Sequence, residues 1–373
     1  MKTKLNSLLI WLAILAGVTS ATAQVTNVDI APAGGQTLLY LPTGNPPNNN
    51  YILQSTTNQA SPNWTTEPYP MPVGASTVSN TAPAKFFRLI YPNPPVGMVL
   101  IPAGTFLMGN STGDSDITDA NPTNIYVSAF FMETNLVTLH AWQSVYTYAA
   151  SFNGYTFDDP GAGTAANQPV QTVNWYDCLK WCNARSQLGG LTPCYYTDVN
   201  LTQVYNNGDV AAVYVNWAAN GYRLPTEAEW EKAARGGLSG FRFPWGNLIS
   251  EKQANYKGNT NGYSYDLGPS GANPLSDAYP FTGTCPVASF DLNGYQLYDM
   301  AGNVAEWCWD WYGTPYGQPS PLNPTGAGSA SNSRVLRGGN SDFDASFARC
   351  ANRYSMSPLT AINFFGFRCV RGL

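Results

Sequence analysis

The stretch NGYQLYDMAGNVAEWCWDWY, Asn293 to Tyr312, sets an acidic residue, a glycine turn and a second acidic residue within eight positions and follows them with Trp309, Trp311 and Tyr312. Such a loop can wrap backbone carbonyls and the carboxylates of Asp299 and Glu306 around a hard cation, and calcium takes six to eight oxygens. The same residues also suit a turn held by Asx hydrogen bonds without metal. The aromatics read first as core and second as the lining of a groove for peptide or sugar.

Outward from this stretch, the composition bounds what the chain can be. It has 373 residues, enough for one large domain and a small one. Charged residues make up 11%, less than half the usual share of about 25%, while aromatics, Gly and Pro are abundant, as in a loop-rich globular fold. A net charge of -5 supplies no basic stripe for a phosphate backbone, so nucleic acid is not expected as a partner.

The first 24 residues, MKTKLNSLLIWLAILAGVTSATAQ, have Lys2 and Lys4 ahead of an apolar run from Leu8 to Val18, then Ala21-Thr22-Ala23 before Gln24. This is the pattern of a signal peptide over 1–23, which implies a secreted, periplasmic or cell-envelope location. An apolar run this short cannot span a bilayer, which needs about 20 residues, and no later segment reaches that length. All seven cysteines, Cys178, Cys182, Cys194, Cys285, Cys308, Cys350 and Cys369, lie in the second half. In an oxidising compartment they can form disulfides, and their odd number leaves at least one thiol free or paired between molecules.

Residues 24–92 read as a small all-β, sandwich-like module, with β-prone runs at Thr37 to Leu41, Tyr51 to Ser55 and Lys85 to Ile90 between Pro, Gly and Asn clusters. Residues 93–97 close a proline-stiffened linker, YPNPPVG. From Met98 onward, short strands such as MVLIPAGTFLMG and VYVSAFFM are interrupted by two helical patterns. In WYDCLKWCNARSQ, Trp175, Leu179 and Cys182 recur at helical spacing with Asp177 in the first turn. In TEAEWEKAARGG, Thr226 caps, Glu229 completes a capping box, and Gly236-Gly237 terminates.

Seven segments in order resemble the formylglycine-generating enzyme, or sulfatase-modifying factor, family. They are VLIPAGTFLMG (Val99 to Gly109), PVQTVNWYD (Pro169 to Asp177), GYRLPTEAEWEKAARGG (Gly221 to Gly237), FPWGN (Phe243 to Asn247), the stretch from Asn293 to Tyr312, RVLRGG (Arg334 to Gly339) and GFRCVR (Gly366 to Arg371). The resemblance covers residues 98–373. It implies an α+β fold, a variant of the C-type-lectin-like fold with little regular secondary structure.

The resemblance also implies ligands. Family calcium sites map onto the side chains of Asp299 and Glu306 with the carbonyls of Gly302 and Val304, and onto Asn255, the carbonyl of Tyr256, Asp277 and the carbonyl of Tyr279. Relatives from oxidising compartments bond the cysteines that match Cys182 and Cys369, a closure expected to stabilise by about 3 to 5 kcal/mol in the chain-entropy model. Cys350 matches a second structural cysteine whose usual partner position is Ala234 here, so Cys178, Cys194, Cys285 and Cys308 remain as its candidate partners.

Formylglycine-generating enzymes use two cysteines of their own, set five apart after the RxxxGG segment, to hold copper(I), an ion that selects soft thiolates. Here the segment from Asn340 to Arg349, NSDFDASFAR, has no cysteine and is about three residues shorter. Counted from Gly339 the two positions fall on Phe343 and Ala348, and counted back from Cys350 on Asn340 and Ala345. The chain's one histidine, His140, cannot build an iron site of several histidines. Asp342 and Asp344 read as loop chemistry, while Arg337, Arg353 and Arg368, with Asp342, are candidate contacts to a ligand.

Three readings follow. The first is a secreted family member without oxidase activity, a binding or accessory module for a peptide, protein or glycan ligand, with structural calcium. The second is a formylglycine-generating or other oxidase working through noncanonical residues, for which copper would be required. The third is an adhesion or envelope-structural protein.

Overall fold

The computed structural model describes residues 29–33, 36–40, 52–56, 65–66, 76–79, 86–90 and 93–373, except 153, 211, 279–282, 314–320 and 328–330. The signal-peptide pattern and Tyr279 lie outside them, as does the side chain of Asp277. The chain divides into two compact units, Met1–Asn93 with Pro102–Gly104, and the remainder.

The first unit carries β1 (Asp29–Ala33), β2 (Gln36–Tyr40), β3 (Ile52–Thr56), β4 (Thr65–Thr66), β5 (Ser76–Ser79) and β6 (Phe86–Ile90). They form two antiparallel sheets in the orders β1-β2-β5 and β4-β3-β6. Each of the three β-prone runs becomes a strand displaced by no more than one residue.

The second unit is mixed α+β with short elements. Four strands, β7 (Met98–Ile101), β8 (Gly104–Met108), β9 (Thr123–Val127) and β10 (Phe130–Glu133), precede α1 (Leu139–Phe152) and α2 (Trp175–Leu188). Then come β11 (Tyr195–Tyr196), β12 (Tyr214–Val215), β13 (Tyr222–Arg223) and α3 (Glu227–Ala234). The chain closes with β14 (Ala305–Trp311), β15 (Arg334–Arg337), β16 (Tyr354–Met356), β17 (Phe365–Gly366) and β18 (Val370–Arg371). One four-stranded sheet has the order β13-β18-β10-β7 and another β16-β15-β14-β17, with β17 parallel to β14.

Both expected helices form for the expected reasons. The Asn174 side chain accepts from Asp177 N–H at 2.8 Å to cap α2, and Thr226 and Glu229 bond reciprocally to start α3, each such cap being worth about 1 kcal/mol. Helix α1 was not expected. Its start is marked by Thr138, whose hydroxyl accepts from Ala141 N–H at 3.2 Å, and its buried stripe is Leu139, Trp142, Val145 and Ala149.

Tryptophans organise the core. Trp142 and Trp181, from α1 and α2, stack with centroids 5.8 Å apart and planes 2° apart, and Phe367 meets both edge-on. A second apolar cluster lies under α3, with Trp230, Cys308, Val335 and Cys350. Among the described residues, no helix is long and apolar enough to cross a membrane.

Candidate functional site

Strand β15 ends in Gly338 and Gly339, at φ +94° and +69°. A Cβ on Gly339 would stand 3.0 Å from the Phe347 carbonyl carbon, so the backbone folds tightly against the loop that follows. Within that loop the Asn340 side chain accepts from the N–H groups of Asp342 and Phe343 at 2.9 and 3.0 Å. Asp344 accepts from Ser346 N–H at 2.9 Å and from the Tyr263 hydroxyl at 3.3 Å. Asn340 and Asp344 thus stand in Asx-type loop chemistry, and Asp342 is exposed beside Lys257 at 3.4 Å.

The two counts for the family's thiol pair fall on Phe343 and Ala348 or on Asn340 and Ala345. Asn340, Ala345 and Ala348 are buried, and the two alanines pack with Phe243, Ile249 and Tyr256. Phe343 is half-buried and joins Phe347 and Tyr354, with ring centroids 4.5 to 6.2 Å apart. At the root of the loop, the buried Nδ2 of Asn340 and Oγ of Ser341 have no hydrogen-bond partner among the described residues. The far end is clamped by Arg349, which bonds Asp114 at 3.0 Å and Asp116 at 2.9 Å. Burial would raise the Asp114 carboxyl, but hydrogen bonds and charges from Arg242 and Arg349 hold it below its ordinary value.

All seven cysteines are buried. Burial pushes the Cys350 and Cys285 thiols up to about 12 and Cys194 to about 11, and raises Cys178, Cys182, Cys308 and Cys369 as well. Burial thus favours the protonated thiol at all seven, whereas reactive cysteines sit in electropositive, partly exposed surroundings. Cys350 sits in the apolar cluster under α3, with Trp230 and Cys308. The Sγ atoms of Cys182 and Cys369 stand 3.7 Å apart, in contact but beyond the about 2.05 Å of a bond.

The arginines expected at a ligand surface lie inside the protein instead. Arg368 is fully buried and grips both oxygens of Glu306, at 2.7 and 2.9 Å, while donating to the carbonyls of Tyr298 and Asp299. Arg353 grips both oxygens of Glu227 at 2.7 and 2.9 Å. Arg337 is held by Glu231 and the Asn352 carbonyl. Their planar forks are committed to internal carboxylates, so they brace the fold around the loop; of the four candidate contacts, Asp342 alone reaches the surface.

The two loops considered for calcium meet in one network. The Asn303 N–H donates to the Asn255 carbonyl at 2.8 Å and so joins the two segments. Gly302, at φ +76°, allows this approach, because a Cβ there would sit 2.2 Å from the same oxygen. Asp299 and Glu306 are both buried; Arg368 grips Glu306, while the Asp299 carboxylate accepts from Ala288 N–H at 3.0 Å and from Asn303 Nδ2 at 3.4 Å, and burial pushes Asp299 up to about 6. Asn255 Oδ1 is a buried acceptor without a partner. The buried Asp299 carboxylate and the orphaned Asn255 amide oxygen belong to the two separate calcium sets that the resemblance implies, and each is an oxygen donor of the kind a hard cation takes. The backbone carbonyls of Gly302, Val304 and Tyr256 belong to the same segments.

Comparison with known proteins supports the family and the fold. The sulfatase-modifying factor enzyme 1-like domain model matches residues 88–373. The chain belongs to that family. It is 34% identical over 295 residues to formylglycine-generating enzyme of Bos taurus, covering 74% of this chain and 75% of that one. It is 34% identical over 230 residues to chaperone protein LppX of Paenibacillus barcinonensis, covering 58% and 72%. Among solved structures, Treponema denticola variable protein 1 superposes with a TM-score of 0.57 at 30% identity, over 74% of this chain and 95% of that one.

Proposed function

We propose that this family member is an exported binding or accessory module without cysteine-oxidase activity, stabilised by structural calcium at Asp299 and Asn255. The observation that carries the reading is the loop from Asn340 to Arg349. Every position where the family's thiol pair falls is an amide, a phenyl ring or a buried methyl, and every thiol elsewhere is buried. Copper(I) chemistry has no soft ligands at that loop.

What the loop offers is a recognition surface: three half-buried rings, Phe343, Phe347 and Tyr354, beside the exposed Asp342 and Lys257. A relative whose name is that of a chaperone supports a role other than oxidation on this scaffold. The leader over residues 1–23 supports export. Alkylation of the native protein at neutral pH, read by mass at each cysteine, tests the reading. No cysteine should be modified until the protein is unfolded; rapid modification of one thiol in the folded state would show a reactive cysteine and oppose it.

A further inference from the structure

A cavity of about 460 Å³, with no residue of the Asn340 loop in its lining, is assembled from Val127–Phe130, Trp217–Ala219, Arg223, the start of α3, Asn323–Thr325 and Gly372–Leu373. Its size falls in the range of about 300 to 1,000 Å³ that holds small molecules. Trp217 is 45% exposed at this cavity, although it is a large apolar side chain. Its ring is braced from behind, edge-on to Trp309 at 6.1 Å and 89°, and the Arg223 guanidinium lies 5.2 Å from its centroid.

Opposite chemistry lines the same space. Arg223 and Glu229 form a two-pronged pair, Nη1 to Oε2 at 2.6 Å and Nη2 to Oε1 at 2.7 Å. Glu229 also accepts from Thr226 N–H at 2.8 Å. Asn323 is fixed by Ser128, whose N–H donates to Oδ1 at 2.7 Å and whose Oγ accepts from Nδ2 at 3.0 Å. These groups are planar, locked and electrically neutral as a set, with donors and acceptors side by side.

That combination selects a ligand by elimination. A carboxylate entering the cavity meets Glu229, an ammonium meets Arg223, and neither finds an unpaired counter-charge in the pair. A purely apolar ligand would strip water from the Arg223, Glu229, Thr226 and Asn323 edges without replacing its hydrogen bonds. A hydroxyl both donates and accepts, so adjacent hydroxyls can bridge the donor and acceptor edges of the pair without separating it. A ring with hydroxyls on its edge and C–H groups on its face would also cover the indole.

We infer that this cavity is a binding site for a neutral saccharide, with Trp217 as the stacking platform and Arg223, Glu229 and Asn323 as the hydroxyl readers. The inference rests on the reading of the chain as a binding module and gives that module a site and a ligand class. The test uses the full mature chain with methyl pyranosides, maltose, cellobiose, lactose and chitobiose. Sodium glutamate, lysine methyl ester and indole serve as charged and apolar comparators, and binding is followed by calorimetry and saturation-transfer NMR.

At least one sugar should bind saturably, with magnetisation transfer to its ring C–H protons, and the comparators should not compete. Trp217→Ala should weaken binding by about tenfold or more, with Trp217→Phe recovering part of the loss. Asn323→Ala provides a second variant should the first fail to fold, and it too should weaken sugar binding. The inference is overturned if no sugar saturates, if a comparator displaces the sugar, or if the folded variants bind as tightly as the parent. Oxidation of a cysteine peptide by a chain that also binds sugar would sink the functional reading and leave this site standing; absence of both would do the reverse.

Discussion

Removing Arg368 should be among the most damaging single changes available to this fold, and the structure sets the size of the loss. Arg368→Met leaves Glu306 buried with no counter-charge and takes a donor from the Tyr298 and Asp299 carbonyls. Breaking one side of a buried pair costs about 3 to 5 kcal/mol, which for a domain of this size lowers the thermal midpoint by about 10 °C. Glu306→Met should cost a similar amount by stranding the guanidinium. The double variant replaces both charges with apolar groups, and the two losses should fail to add by about 2 to 3 kcal/mol. Urea unfolding of the parent, both single variants and the double variant, carried out in chelator so that no cation contributes, measures all four corners. A loss below about 1 kcal/mol for Arg368→Met, or singles that simply add, would refute the claim that this pair is coupled and charge-balanced.

Other outcomes follow from the same geometry. Chelation should lower the thermal midpoint, and calcium at about one hundred times its dissociation constant should restore about 2.7 kcal/mol; Asp299→Asn should abolish the calcium response, and a chelator-insensitive midpoint would contradict the cation fit. Arg349 and Arg242 hold the Asp114 carboxyl low, and Arg349 does the same for Asp116. Their stabilisation is therefore complete above pH about 4 and lost as pH falls through the depressed folded values. Asp114→Asn should flatten the acid limb of a stability–pH curve, and an unchanged limb would show that the Arg349 clamp contributes nothing. A disulfide map of protein made under oxidising conditions should show Cys182 joined to Cys369, the two sulfurs already in contact at 3.7 Å; Cys182 paired elsewhere would argue against it.

Local signals in the sequence were legible where one segment carries its own instructions. The capping box of Thr226 and Glu229, the Asn174 helix start and the glycine-turn geometry of the Asn293 to Tyr312 stretch all depend on residues a few positions apart. Helix α1 escaped notice because LHAWQSVYTYAASF has no charged residue in its first or last turn and is rich in β-prone Val, Thr and Tyr. Its only clear signal was Thr138 ahead of an apolar stripe. The arginines were misplaced for a different reason: the sequence shows a guanidinium but not the carboxylate 62 or 126 positions away that claims it. The cavity at Trp217 was invisible in the same way, since its walls come from distant segments, Ser128 and Asn323 lying 195 positions apart, that meet only in the fold.

The central claim concerns the thiols that the Asn340 loop lacks, and one measurement addresses it directly. The mature chain and formylglycine-generating enzyme of Bos taurus are incubated side by side with copper, oxygen, a thiol reductant and a peptide carrying the CxPxR motif, and the aldehyde is captured with an aminooxy probe and quantified by mass. The account predicts product from the bovine enzyme and none above the protein-free background from this chain. Catalytic turnover here, with more aldehyde formed than protein present, would contradict it.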